Sequence, residues 1–337
     1  MSSSPPPSPI LFFDTLTAYQ NTAALKAALD LKLFTALGQS RMTAAEIATK
    51  CDAAQRGIRM LCDFLTILGF LEKNDGRYSL TPDSSVFLDE NSPAYAGRAA
   101  TFLLSRTIQT AFDDLATAVR RGGTALPDEG TMEPDHPVWI DFARGMAPMM
   151  TPVARALAEL LPLNATAAPR ILDIAAGHGV YGIALAQKHP RAHLVALDWA
   201  PVLEVARENA KAANLSDRFS TIIGSAFEVE LGENYDVVLV PNFLHHFDLP
   251  TCVNFLKKLH RALRPGGSVA IIEFVPNPDR ITPPDAASFS LVMLATTVAG
   301  DAYTFAEFEE MLSQAEFKEI RQHPLPPSNA TAVFATK

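Results

Sequence analysis

Cysteines and long apolar runs are scarce in this sequence, and each scarcity excludes a class of protein. The three cysteines, Cys51, Cys62 and Cys252, lie far apart and lack the paired CxxC spacing of zinc or redox sites. We interpret them as buried free thiols in a reducing compartment. No window approaches the roughly 20 apolar residues that span a bilayer, and the N-terminal segment lacks the basic and apolar regions of a signal peptide. These absences predict a soluble cytoplasmic protein that does not associate with a membrane.

Positive charge is also in short supply. The 28 Lys and Arg residues are outnumbered by 37 Asp and Glu residues, which gives a formal net charge of -9. The longest basic clusters are the pairs Arg120-Arg121 and Lys257-Lys258. Because such a chain repels a polyanion, the composition predicts no nucleic-acid partner. Apolar residues, at 48%, are abundant enough for two domain cores and an apolar subunit interface.

The N-terminal part of the chain shows helical spacing followed by a hairpin pattern. Apolar residues recur at helical spacing between Leu16 and Leu37, and Thr43 to Glu46 has the spacing of a capping box. A third helix is predicted over Gly57–Leu71. Asp75-Gly76 then predicts the tight turn of a β-hairpin. Helices followed by a hairpin are typical of a winged helix, so we predict an N-terminal winged-helix-like domain over residues 1–105.

The third helix of this domain decides between DNA binding and protein association. It carries Arg56 and Arg59, but Asp52 and Asp63 accompany them and its other residues are mainly apolar. A DNA-recognition helix needs an exposed row of base-reading and phosphate-binding side chains, so we favour protein association. The domain also has more apolar residues than so small a unit can cover, which predicts a homodimer. These apolar residues are Leu25, Leu29, Leu33, Phe64 and Leu68.

The second part of the chain, residues 106–337, changes its pattern beyond Pro169. Short apolar runs alternate with helical segments, which is typical of strands buried on both faces of a parallel sheet with right-handed crossovers. The pattern predicts an α/β fold, namely a doubly wound, Rossmann-like domain. The predicted strands are Ile171–Ile174, Leu194–Leu197, Thr221–Ile223, Val237–Val240 and Val269–Ile272.

A glycine motif follows the first of these strands. Gly177, Gly179 and Gly182 form GxGxxG, which allows a tight turn and close approach of a ligand to the backbone at a helix N-terminus. NAD, FAD and S-adenosylmethionine sites share this motif, and a turn without a ligand is a further alternative. Asp198, at the end of the next strand, suits both ribose hydroxyls of a nucleoside. Asp173, just before the glycines, suits the ammonium of S-adenosylmethionine or a water that holds it.

Longer segments of the sequence resemble the small-molecule O-methyltransferase family, which includes caffeate-type and acetylserotonin enzymes and bacterial tailoring enzymes of secondary metabolism. The matching segments are ILDIAAGHGVYGIALA, LHHFD, LRPGG and MLATTVAGDAYTFAEFEEML, and the resemblance covers nearly the whole chain. It implies that S-adenosylmethionine is the cofactor and that the N-terminal region forms a homodimer. The implied substrate is a small hydroxylated aromatic or polyketide-like molecule.

The resemblance places the catalytic base of the family at His245. A phenol with a pKa near 10 is almost wholly neutral at pH 7, so an imidazole that removes its proton would assist attack on the sulfonium methyl group. The alternative is that His245 only caps the strand end. His246 occupies a position where family members commonly have an acidic residue.

The sequence departs from the family where glutamates usually accompany the base. Ala302 replaces one of them, and the segment Val333–Ala335 has none where a second is common. Without an acidic partner, His245 would be a weaker and less oriented base. Asp301 is the substitute that the sequence offers, and with His245 and His246 it completes the candidate catalytic residues. The alternatives are an acceptor with an acidic hydroxyl, which needs little help from a base, and a reaction other than methyl transfer.

The resemblance also outlines the binding surfaces. Aromatic and thioether side chains suit a flat apolar acceptor, whereas no cluster of Asp, Asn and His has the spacing of a divalent-metal site. Besides Asp173, Gly177, Gly179 and Asp198, the expected cofactor-binding residues are Trp199, Ser225, Ala226, Phe227 and Asn242. The expected acceptor-binding residues are Phe142, Met146, Met149, Phe243, Phe289 and Met293.

The residues leave three other functions open. The chain could methylate carbon or nitrogen instead of oxygen, or it could use the cofactor as a scaffold or charge in a reaction without methyl transfer. A regulator that senses S-adenosylmethionine through a winged helix is the third. The net negative charge argues against this regulator, because it would have to bind DNA.

Overall fold

The computed structural model describes residues 7–132, 136–161, 163, 168–326 and 328–337. These residues divide into two compact units, of which the first ends at Ala100 and the second spans Thr101–Lys337. Residues 101–105, which the sequence pattern assigned to the N-terminal domain, therefore lie in the second unit.

The first unit combines helices with a small antiparallel sheet of order β1-β3-β2. Its elements are α1 (Ile10–Thr17), α2 (Tyr19–Asp30), α3 (Leu33–Leu37), β1 (Met42–Thr43), α4 (Ala44–Lys50), α5 (Gln55–Ile67), β2 (Leu71–Asn74), β3 (Arg77–Leu80) and α6 (Pro82–Phe87). The capping box predicted at the start of α4 is confirmed, since Thr43 and Glu46 exchange side-chain and backbone hydrogen bonds. The hairpin between β2 and β3 is confirmed too, and Asp75 and Gly76 have the positive φ angles that such a turn requires.

Apolar side chains remain uncovered on α1. Six of them between residues 10 and 19 are more than half exposed, and α1 buries none of its residues. Leu25, Leu29, Leu33, Phe64 and Leu68 were predicted to be more than this unit can cover. Leu33 is fully buried inside the unit, against that prediction. The other four are partly buried. The exposed residues of this segment are Ile10, Leu11, Phe12, Phe13, Leu16 and Tyr19.

The second unit begins with helices and continues as an α/β domain. Its helices are α7 (Ala99–Leu103, which starts just before the boundary), α8 (Arg106–Asp113), α9 (Leu115–Arg121), α10 (Val138–Leu160), α11 (Val180–Lys188), α12 (Ala200–Ala212), α13 (Leu249–Ala262), α14 (Pro284–Thr296) and α15 (Phe305–Gln314). Its strands are β4 (Arg170–Ile174), β5 (His193–Asp198), β6 (Phe219–Ile223), β7 (Tyr235–Pro241), β8 (Leu263–Glu273), β9 (Lys318–Pro324) and β10 (Thr331–Thr336).

The seven strands form one sheet in the order β6-β5-β4-β7-β8-β10-β9. The first five pair in parallel, which confirms the predicted doubly wound fold, and β10 and β9 add an antiparallel edge. Neighbouring residues of one strand, such as Ile171 and Leu172, belong to different apolar clusters, so both faces of the sheet are buried. The strand order reverses between β4 and β7, and a crevice for ligands is expected at the carboxyl ends of the strands there.

Crossing a bilayer requires a helix of about 20 mainly apolar residues. No helix in the described part of the chain combines the length and the apolar character needed to cross one.

Candidate active site

A cavity of about 510 Å³ lies at the carboxyl ends of β4, β5, β7 and β8. The strand ends contribute Ala175, Asp198, Asn242 and Phe274 to its wall, and helices α7, α8, α10, α12 and α14 contribute most of the other lining residues. Asp198 is the one acidic residue among the described lining residues, which include no lysine or arginine. The cavity is therefore apolar with a polar patch at the strand ends.

Two backbone amides hold the carboxylate of Asp198. The amide of Gly177 donates to Oδ2 at 2.8 Å, and the amide of Trp199 donates to Oδ1 at 2.7 Å. Gly177, Trp199 and Asn242 line the cavity with Asp198, so four of the expected cofactor residues come together here. The glycine loop is thereby tied to the end of β5.

Gly179 is constrained by its backbone conformation and by helix packing. Its φ is 71°, and an added Cβ would lie 3.2 Å from the Cβ of Ala206 in α12. Gly179 is absent from the described cavity wall, so helix packing and backbone conformation require this glycine. Gly182 has a similar role, because a Cβ there would lie 2.5 Å from a methyl group of Leu194.

The loop after β6 carries the residues expected near an adenine, namely Ser225, Ala226 and Phe227. None of the three lines the cavity in the described structure. The ammonium of Lys258 in α13 donates to the carbonyl oxygens of Ala226, Phe227 and Val229 at 3.0, 2.9 and 2.7 Å. The loop is thus fixed to α13 by one side chain that the sequence did not indicate.

His245 stands in a short 3-10 turn directly after β7 and faces the cavity. Its Nδ1 is hydrogen-bonded to Oε2 of Glu273, the last residue of β8, and both side chains are almost fully buried. The other carboxylate oxygen of Glu273 accepts from the amides of Phe243 and Leu244, each at 3.0 Å, and from that of His245 at 3.4 Å. Because a carboxylate only accepts, the ring proton belongs on Nδ1, and Nε2 keeps a lone pair.

This pair corrects the expectation that Asp301 stands in for the missing family glutamate beside His245. Glu273 was not singled out because it closes a long apolar run and belongs to another strand. The sequence did contain one indication, since a carboxylate at the carboxyl end of a parallel strand is where sites of this fold collect their polar groups.

Asp301 is placed elsewhere. Its carboxylate forms an ion pair with Arg280 at 3.1 Å, and Arg280 also pairs with Glu307 at 2.6 Å. Asp301 is absent from the described cavity lining, and its carboxylate makes no described hydrogen bond with His245. The structure therefore gives it a structural ion pair where the sequence suggested an orienting acid.

His246 lies beside His245 in the cavity wall, with the ring centroids 4.2 Å apart. Its ring also meets the edge of Trp139 at 5.3 Å. Burial and the neighbouring His245 hold the pKa of His246 well below its ordinary range. The ring is consequently neutral at pH 7, and within the described residues its Nδ1 has no hydrogen-bond partner.

Aromatic and thioether side chains form the apolar wall. Five of the six expected acceptor residues line the cavity: Phe142, Met146, Phe243, Phe289 and Met293. Met149 does not, since it is 45% exposed on α10, and Met150 lines the cavity in its place. One residue along a helix turns the side chain by about 100°, so the register of the expectation was off by one position. Trp139 and Phe102 also belong to the wall, and nothing in their local spacing set them apart from core residues.

Two family profiles match the chain in succession. The O-methyltransferase dimerisation domain matches residues 13–90, and the O-methyltransferase domain matches residues 127–318. The chain belongs to the O-methyltransferase family. This O-methyltransferase is 31% identical to 3-hydroxy-5-methyl-1-naphthoate 3-O-methyltransferase of Streptomyces sahachiroi, over 97% of this chain and 94% of that one.

Solved structures agree with this assignment. A crystal structure from Nostoc punctiforme, of a protein classed with the O-methyltransferases, is 51% identical and covers 98% of this chain and 100% of its own, with a TM-score of 0.95. Human N-acetylserotonin methyltransferase in complex with S-adenosylmethionine shares the fold at 22% identity and a TM-score of 0.85, over 100% of this chain and 99% of that one. The protein is an O-methyltransferase that uses S-adenosylmethionine.

The residues at the end of β4 fit that cofactor. Asp173 is fully buried, and its Oδ2 accepts from the amide of Gly182 at 3.0 Å. Its Oδ1 has no hydrogen-bond partner in the described part of the chain. Burial, and to a smaller extent the charge of Asp198, raise the pKa of Asp173 to about 8. An ammonium group would supply both the missing donor and the compensating charge.

Proposed function

We propose that the enzyme methylates a hydroxyl group of a small aromatic or polyketide-like molecule, with His245 as the general base. The observation that carries this proposal is the buried pair of His245 and Glu273 at the cavity wall. Glu273 keeps the proton on Nδ1 and stabilises the imidazolium that forms when Nε2 takes a proton. The pair thus has the tautomer and the orientation that a base for a phenol needs.

The reaction requires few groups from the protein. S-adenosylmethionine, when bound, supplies an electrophilic methyl group on a sulfonium. Nε2 of His245 takes the hydroxyl proton of the acceptor, whose oxygen forms a bond to the methyl carbon while the carbon–sulfur bond breaks and its electron pair goes to sulfur. The cavity wall excludes water and aligns the acceptor, and such alignment is a large part of the acceleration of a displacement reaction.

Asp173 and Asp198 are proposed to hold the two ends of the cofactor. The unpartnered Oδ1 of Asp173 supports a contact with its ammonium. Asp198 is fixed by two backbone amides in the cavity wall, which supports a role at the ribose hydroxyls. Ser225, Ala226 and Phe227 are proposed to border the adenine.

The acceptor is proposed to be flat and aromatic, with its reacting hydroxyl presented to His245. Phe142, Met146 and Phe289 support a flat ring, since aromatic and thioether groups pack well on its faces. The described wall has no lysine or arginine that would pair with a carboxylate on the acceptor. The relative from Streptomyces sahachiroi is named for a hydroxylated naphthoate, which supports a ring system of about that size.

The enzyme is proposed to act as a homodimer in the cytoplasm without a metal ion or a nucleic-acid partner. The match to a dimerisation domain and the exposed apolar residues of α1 support the dimer. The cysteines are free, and two of them are buried while Cys51 is partly exposed, which agrees with a reducing compartment.

The test is a set of phenols of graded acidity, assayed with methyl-labelled cofactor and mass spectrometry of the products. His245→Gln should lower kcat for a phenol of pKa near 10 by about 10²-fold to 10⁴-fold, because the proton has no acceptor. The loss should shrink for acidic phenols that are already ionised, while affinity for S-adenosylhomocysteine stays unchanged. Full activity of the variant on the weakly acidic phenol would rule out His245 as the base.

A further inference from the structure

His178 lies in the glycine loop, between Gly177 and Gly179, and the proposed reaction does not use it. Its side chain is only 2% exposed. The ring stacks on Phe142, with centroids 5.8 Å apart and planes inclined by 21°, and lies 6.0 Å from the ring of Tyr181. His178 is not among the described lining residues, but its ring packs on Phe142 and it follows Gly177, and both of these residues line the cavity.

The hydrogen bonds of His178 fix its proton. The amide of Val180 donates to Nδ1 at 3.3 Å, and only a ring nitrogen without hydrogen can accept. Burial lowers the pKa of His178 to about 4, so the ring is neutral at pH 7 and carries its proton on Nε2. Within the described residues this buried N–H has no acceptor. Buried donors are almost always paired, so the missing acceptor belongs to water or a ligand.

A second unpartnered buried group lies near the end of β4, the strand that leads into this loop. Oδ1 of Asp173 is an acceptor without a donor, whereas Nε2 of His178 is a donor without an acceptor. Tyr181 links the two, since its ring contacts His178 and its pKa is raised by burial and further by the charge of Asp173. One acceptor near the end of β4 and one donor in the loop that follows are complementary to the ammonium and the carboxylate of a single amino acid.

We propose that the Nε2–H of His178 donates to the carboxylate of the methionyl end of the cofactor. The inference rests on the proposed contact between Asp173 and the ammonium of that group. Together the two residues would recognise a zwitterion, and His178 would be the residue that distinguishes an α-amino acid from a simple amine. A charge-assisted hydrogen bond of this kind corresponds to about tenfold to a hundredfold in affinity.

Calorimetry with truncated ligands isolates this contact. The three ligands are S-adenosylhomocysteine, its decarboxylated analogue, and 5′-methylthioadenosine, which lacks the amino acid end. The wild type should bind the first ligand about tenfold to a hundredfold more tightly than the second. In His178→Phe, which keeps the stacked ring and loses the N–H, this preference should disappear while the affinity for the other two ligands stays within about twofold.

His178→Gln is the matched variant, because its amide can place an N–H near the position of Nε2. It should retain part of the preference for the carboxylate. Binding of 5′-methylthioadenosine by each variant also reports that the site is folded.

Three results would overturn the proposal. If the wild type binds S-adenosylhomocysteine and its decarboxylated analogue equally well, the carboxylate makes no favourable contact, and the proposal fails without any variant. A His178→Phe protein with wild-type preference would mean that water satisfies Nε2, and equal weakening of all three ligands would mean a structural role. A wild type that bound none of the ligands would instead overturn the cofactor site and this inference with it.

Discussion

Glu273 makes four hydrogen bonds to the segment that carries His245, three with backbone amides and one with the ring. In Glu273→Gln the amide oxygen can still accept from the backbone, but the NH₂ group would face Nδ1. The ring would then carry its proton on Nε2 and could not take one from the acceptor. We expect kcat to fall by about 10²-fold to 10⁴-fold with little change in affinity for S-adenosylhomocysteine.

Asp301→Asn is the matched control for this prediction, because it makes the same chemical change in a carboxylate paired with Arg280. It should keep kcat within about twofold, as a half-exposed ion pair contributes little. Steady-state kinetics on one phenol compares the two variants. Equal losses of kcat in the two variants would contradict the assignment of Glu273 as the residue that orients His245, because Asp301 would then be as important.

Asp173 gives the enzyme a specific dependence of stability on pH. Its pKa rises from 3.8 to about 8, chiefly through burial, so the folded protein holds a proton that the unfolded chain releases. The stability from this group is present below about pH 4 and is lost as the pH rises towards 8. Asp173→Asn keeps an acceptor for the Gly182 amide but has no carboxyl group that can ionise, so it should not lose this stability. Without ligand, the melting temperature of the variant minus that of the wild type should therefore be at least about 2 °C larger at pH 8.5 than at pH 6.

Scanning calorimetry at both pH values measures this difference, with Asp217→Asn as the control for an exposed carboxylate. S-adenosylhomocysteine at pH 8 should stabilise the wild type much more than Asp173→Asn, because only the carboxylate can pair with the ammonium charge. Parallel pH curves for the wild type and Asp173→Asn would contradict the assignment.

At the scale of elements, the loop after β6 depends on a single residue of α13. Lys258→Met would leave three carbonyl groups without their donor, although the apolar stem would still pack. We expect a loss of about 1–3 kcal/mol in the free energy of unfolding and, if the loop borders the adenine, about tenfold weaker binding of S-adenosylhomocysteine. Denaturant unfolding and calorimetry measure the two effects.

The neighbouring Lys257 is exposed on the same helix and makes no such contacts among the described hydrogen bonds. Lys257→Met should therefore match the wild type in both measurements. Indistinguishable behaviour of the two variants would mean that the loop holds its conformation without Lys258.

The strands differ in how far the sequence could predict them. Four of the five parallel strands are largely buried and appear as apolar runs, and β6, which lies at the other edge with only partly buried or exposed residues, still has the apolar pair Ile222 and Ile223, so all five could be predicted. β9 lies at the edge with nearly every residue exposed, and its polar sequence has no strand pattern. β10 is apolar, but its place beside β8 depends on a pairing with residues about 60 positions away, such as Thr331 with Glu273.

The residues of the site also differ in how far the sequence could predict them. His245 and Asp198 could be predicted because each stands in a recognisable local motif. Glu273 could not be matched to His245, since the contact joins the ends of two strands that only the folded sheet brings together. Met150 was missed and Met149 expected in its place, because the sequence does not give the rotation of a helix to within one residue.

At the scale of the whole molecule, the exposed apolar residues of α1 predict a dimer in solution. Leu11 and Phe12 are 79% and 60% exposed, which is costly in an isolated chain. Light scattering at micromolar concentration should give twice the chain mass of 36.4 kDa for the wild type. The double substitution Leu11→Lys, Phe12→Lys should shift the protein to the monomer, because charges cannot be buried unpaired in an apolar interface.

Ile281→Lys is the control, since Ile281 is 70% exposed in the second unit. It should leave the mass unchanged. A monomeric wild type, or a dimer that survives the double substitution, would exclude α1 as the contact.

His245 and Glu273 stand at the ends of β7 and β8, whose ladder pairs Val240 with Ile271 and Pro241 with Ile272. The walls that face the acceptor come mainly from α8, α10 and α14. In the proposed reaction, proton removal is therefore anchored in the central sheet, whereas the shape of the cavity is set by helices around it. Substitutions such as Phe289→Leu or Met293→Val can enlarge the cavity while the ladder keeps the reacting pair in register. This separation makes the fold evolvable, because new acceptors can be admitted by changing the helices and the methylation chemistry need not be built again.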